Sequence, residues 1–113
     1  MADRFSHQLA DLLLGIEMEM RHIGLWETRS PAPEALASLA PFCHDTLDLS
    51  QWLQWVFLPK MKQALEQEID MPASSDILPL ATYRFSQLSV DADNLLELIG
   101  QFDQLINHNS NPT

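Results

Sequence analysis

The sequence predicts an all-α fold, a helical bundle of four main helices with a proline-kinked central helix. Three observations carry that expectation. Glycine occurs three times and tyrosine once, and valine is scarce, so a sheet lacks its preferred residues. Leu, Ala, Met, Gln and Glu are abundant, and these favour helices. Apolar residues recur at steps of three and four along several separate segments, which puts each set on one helical face. The 113 residues suffice for one domain spanning 1–113, with residues 108–113 as a fraying tail.

The first helix carries Phe5, Leu9, Leu12, Leu13, Ile16, Met20 and Ile23 as a stripe about five turns long. Asp3 makes its start acidic, and Gly24 stands where a left-handed C-terminal cap belongs. Leu25 and Trp26 are expected to fold back on the helix end. Residues 27–47 hold prolines at 31, 33 and 41 and read as a braced connection. Within it Pro33 suits the first position of a short helical segment, PEALASLA, which Pro41 stops. Leu36, Leu39, Phe42 and Leu47 are expected to pack this connection on the core.

The second main helix starts after Asp48, since Asp48 and Gln51 stand in capping-box spacing. Its apolar steps run from Leu49 to Ile69, and between Trp52 and Leu58 only Gln54 is polar. A helix apolar nearly all round is a central one with neighbours on several sides. Pro59 within it removes the hydrogen bond to the Trp55 carbonyl and crowds that turn, costing about 3 kcal/mol in an ideal helix. The expected response is a kink, with the tryptophans filling the core inside the bend. After the loop DMPASSD, a shorter helix starts near Pro79 and uses Leu80, Tyr83 and Leu88, with Phe85 on a neighbouring face. Ser89 and Asp91 offer caps for the last helix, whose stripe is Leu95, Leu98, Ile99, Phe102, Leu105 and Ile106.

Six basic against sixteen acidic residues give a formal charge of −10. With the cations scattered, direct nucleic-acid binding and attachment to an anionic membrane are both disfavoured. One cysteine excludes an internal disulfide, and no stretch has the length of a membrane span or the pattern of a signal peptide. A cytoplasmic location is the resulting expectation. Cys43, His44 and Asp45 are adjacent, yet a nucleophile and its base are defined by geometry, and neighbours in sequence usually diverge. Cys43 reads as a small buried hydrophobe. Histidines 7, 22, 44 and 108 lack ligand-pair spacing, so no metal, cofactor or catalytic residue is predicted.

PFCHDTLDLSQWLQWVFLPKM, residues 41–61, resembles the signature of the YqcC-like family of small bacterial proteins. The matching pieces are Pro41-Phe42, Asp45-Thr46, the block Trp52 to Val56, and Pro59 with a basic residue and Met61; Leu25-Trp26 and Met71-Pro72 also fit. Cys43 and His44 fall where the family pattern is open. The resemblance implies a cytoplasmic α-helical bundle and an association with tRNA pseudouridine synthase C, of which this chain carries no catalytic motif. Two functional expectations follow. One is a non-enzymatic interaction module that binds itself or a protein partner, such as a basic, RNA-handling enzyme to which it is accessory. The other is a small-molecule-binding bundle with a pocket near Trp52, Trp55 and Pro59. Trp52, Trp55, Pro59, Phe42, Asp45 and Trp26 are the candidate pocket or interaction residues.

Overall fold

A computed structural model describes residues 4–109, which form helices and connections with no strand among them. In order these are α1 (Arg4–His22), α2 (Pro33–Leu36), a 3-10 turn (Pro41–Cys43), α3 (Leu49–Trp52), a π turn (Leu53–Phe57), α4 (Leu58–Glu66), α5 (Leu78–Phe85) and α6 (Asp93–Asn109). α3, the π turn and α4 run on as one rod, so four main helices make the bundle. α1 packs against both α4 and α6, and α5 packs against α6. Among the described residues no helix is long and apolar enough to cross a membrane.

The stripes of α1 and α6 face each other, with Leu9, Leu13, Ile16 and Met20 meeting Leu95, Ile99, Phe102 and Ile106 in the core. Gly24 has φ 82°, and the Leu25 N–H donates to the Met20 carbonyl at 2.8 Å. That pair is the left-handed cap expected there, and it turns Leu25 and Trp26 back onto the core. Asp3 and residues 110–113 lie outside the described residues. Of the segment expected to fray, His108 and Asn109 continue α6.

The capping box forms as its spacing predicts: the Asp48 N–H donates to Gln51 Oε1 at 2.8 Å, and the Asp48 side chain accepts from the Gln51 backbone. Ahead of Pro59 the chain adopts a π turn, in which the Leu58 N–H donates to the Leu53 carbonyl. The extra residue in that turn lets α4 begin afresh at Leu58. Pro59 therefore occupies a first helical turn, where a missing N–H goes unused. The strain expected from the proline is absorbed in the turn before it.

Four expectations about facing need correction. Leu39 is fully exposed, because Ser38 and Thr46 tie the connection to itself and leave residue 39 outside the fold. Ile69 is also exposed: the helix stops at Glu66, and Glu68 takes a left-handed φ of 55° while the Ile69 N–H closes on the Ala64 carbonyl. In α5 the buried positions are Ala81 and Phe85, following Ile77, so Tyr83 and Leu88 point outward. That facing is set by Asp103 of α6, whose carboxylate accepts from the N–H groups of Ile77 and Leu78 and from the Ser75 hydroxyl. The tryptophans, finally, are half-buried; Leu53, Phe57, Leu58 and Met61 fill the core in their place.

A candidate interaction groove

Gln54, the lone polar residue of an apolar turn, is 5% exposed and faces the backbone of Glu27. Its Oε1 accepts from the Glu27 N–H at 2.8 Å and its Nε2 donates to the Glu27 carbonyl at 2.7 Å. One side-chain amide thus satisfies both polar groups of a connecting residue, as a neighbouring strand would. The Glu27 carboxylate in turn accepts from Gln51 Nε2 and from Trp55 Nε1, each at 3.3 Å. These contacts clip the segment after α1 onto the π turn.

Beside the clip, Trp26, Trp55, Leu58 and Pro59 form the floor of an open groove of about 610 Å³, with Arg21 and Lys62 at its edge. The Arg21 guanidinium lies 4.5 Å from the centroid of the Trp26 ring, a cation–π contact. Arg21 and Lys62 both pair with Glu17, at 3.0 Å and 2.7 Å, so that carboxylate ties α1 to α4. The Lys62 hydrogen bond is the main influence holding the Glu17 carboxyl below its usual range; partial burial opposes it and Arg21 assists. Two cations that look scattered in sequence therefore converge on one side of this groove.

The six candidate residues divide. Trp26, Trp55 and Pro59 line the groove. Trp52 turns another way, into a file of rings in which Phe42 stands edge-on to it at 4.9 Å and Phe57 lies at 5.4 Å. Phe57 then meets Phe102 of α6 at 4.8 Å, so the file ends in the core. Phe42 and Cys43 both have φ near the left-handed region, at 57° and 50°. Asp45 belongs to neither group: its Oδ1 accepts from the Ser38 hydroxyl at 2.6 Å and braces the connection. Cys43 is buried, with its thiol 4.0 Å from the Ser38 carbonyl, and His44 is exposed.

Glu17, Arg21, Glu27, Gln54 and Lys62 are absent from the sequence-derived set. Gln54 alone had a signal, being a polar residue in a run where every neighbour is apolar. The others meet only because α1, the 24–28 segment and α4 fold together.

Comparisons with known proteins place the chain. A family model described as tRNA pseudouridine synthase C matches residues 8–105. A protein of Haemophilus influenzae named as uncharacterized is 33% identical over 94 residues, covering 83% of this chain and 88% of that one. A tRNA pseudouridine synthase C of Pectobacterium carotovorum is 40% identical over 69 residues, which are 61% of this chain and 18% of that protein. The solution NMR structure of YqcC from Escherichia coli matches with a TM-score of 0.82, covering 98% of this chain and 95% of that one at 21% identity. The extent of the family match and the Haemophilus relative, together with a fold shared over nearly the whole chain, show that this chain belongs to the YqcC-like family.

Proposed function

We propose that this chain is a non-enzymatic protein-interaction module, accessory to a tRNA-modifying enzyme, and that the Trp26–Trp55–Pro59 groove is its docking surface. The observation that carries the reading is the Pectobacterium match: a segment like this chain occupies 18% of a protein named tRNA pseudouridine synthase C. The greater part of that polypeptide lies outside the match. Two units joined in one chain are held at high effective concentration, an arrangement that serves partners. The groove supports the reading because half-buried tryptophans beside an arginine are the residue types that dominate binding hot spots. A chain with charge −10 is also suited to a basic partner.

The test is association with the separately expressed tRNA pseudouridine synthase C of the same source, measured by calorimetry and by sedimentation. A complex is expected whose affinity falls about a hundredfold for Trp55→Ala, the scale of losing one hot-spot aromatic. No complex at micromolar concentrations would defeat the reading. The rival, a small-molecule pocket near Trp52, Trp55 and Pro59, is favoured by the groove's volume, although Trp52 does not line it.

A further inference from the structure

A second concavity of about 320 Å³ adjoins the groove at Glu27, between the end of α1, the start of α3 and the last turn of α5. Leu25, Leu49 and Phe85 supply apolar wall, and Arg84 enters it from α5. Of the chain's six basic side chains Arg84 is the one that is half-buried; Arg4, Arg21, Arg29, Lys60 and Lys62 are exposed. Arg84 is also without an ion pair among the described residues, in a chain holding sixteen acidic side chains.

An exposed cation needs no partner because water serves it. A partly desolvated guanidinium loses that water and gains no counter-ion here, which is unfavourable. Its place in the last turn of α5 sets it near carbonyl ends that favour a cation, but that does not fill five N–H donors. Two carboxylates also line the same space, and neither pairs with Arg84. Asp48 is engaged by the capping box, and Glu27 accepts from Gln51 and Trp55. The Ser50 hydroxyl and the Gln87 side-chain amide also border the pocket, with no hydrogen-bond partner among the described residues.

We propose that this pocket binds an amphipathic carboxylate. The carboxyl group would take the bidentate fork of Arg84, and an apolar body of amino-acid size would lie against Leu25, Leu49 and Phe85. A bidentate guanidinium–carboxylate pair matches this side chain better than a monodentate anion does. The site stands independently of any protein partner in the neighbouring groove.

The experiment is an NMR titration of the labelled chain with 3-phenylpropionate, following the Arg84 Nε–H and the Gly24 amide. Saturable shifts at both are expected. 3-Phenylpropanamide, the neutral isostere, and the Arg84→Gln variant with the acid should each bind about tenfold more weakly, since each lacks the charge-assisted pair. Arg84→Lys, which keeps charge and stem but loses the fork, should be weakened as well and guards against a folding defect in the first variant. Shifts that do not saturate, or equal binding by the amide or by Arg84→Gln, would overturn the assignment.

Discussion

Gln54→Leu tests whether the clip on Glu27 is a structural bond or an incidental one, because the two cases give opposite signs. Leucine keeps the volume of the side chain and adds apolar surface at a position that is 5% exposed. If the two hydrogen bonds contributed little, burial of that surface would stabilise the variant by about 1 to 2 kcal/mol. The structure predicts otherwise. Removing the amide strips the Glu27 N–H and carbonyl of partners held at 2.8 and 2.7 Å. Orphaning a backbone group costs about 1 to 3 kcal/mol when it is buried; both bonds here are part-buried, so water recovers some of the loss and the two groups together give roughly 3 kcal/mol. Set against the apolar gain, the net is a destabilisation of about 1 to 2 kcal/mol. Urea denaturation followed by circular dichroism measures it, with a lowered midpoint at unchanged slope as the expected signature. Tryptophan emission adds a local readout, since release of the Glu27 segment exposes Trp26 and frees the Trp55 N–H. A variant as stable as the wild type, or more so, refutes the argument.

Asp103→Ala should cost about 2 to 4 kcal/mol, because three donors lose one 7%-exposed acceptor; thermal melting checks it, and a loss below 1 kcal/mol would mean the N-terminus of α5 is capped by water. The depressed Glu17 pKa stabilises the fold at pH values above the unfolded glutamate range, and the contribution fades as pH falls through the folded value. Glu17→Gln is therefore expected to be less stable at neutral pH by under about 1 kcal/mol, discounted because Arg21 and Lys62 are largely solvated, and the gap should close in acid. Pro59→Ala should change stability by less than about 1 kcal/mol; a gain near 3 kcal/mol would show that the π turn leaves the proline strained.

The architecture was legible because the apolar stripes of α1 and α6 are long and regular, and because Gly24 and Asp48 mark helix ends through local chemistry. Facing was lost in α5, where nothing local distinguishes Tyr83 from Phe85 and the deciding contact comes from Asp103 on a helix about two dozen residues away. The exposed Leu39 was illegible for a related reason: its neighbours' hydroxyls satisfy the connection internally, so hydrophobicity did not decide its position.

Pro59 shows how the groove depends on backbone geometry more than on residue type. In an unbroken α-helix, Trp52 and Trp55 stand three apart, close enough to share a face. The π turn spans Leu53–Phe57 and widens the spacing just where Trp55 sits. Trp52 then stays with Phe42 and Phe57, and Trp55 is released to the Glu27 side. The same widening lets Gln54 reach the Glu27 backbone while Leu53 and Leu58 remain buried. A proline that looked like a defect in a helix thus accompanies the turn that separates Trp52, half-buried against the core, from Trp55 at the groove.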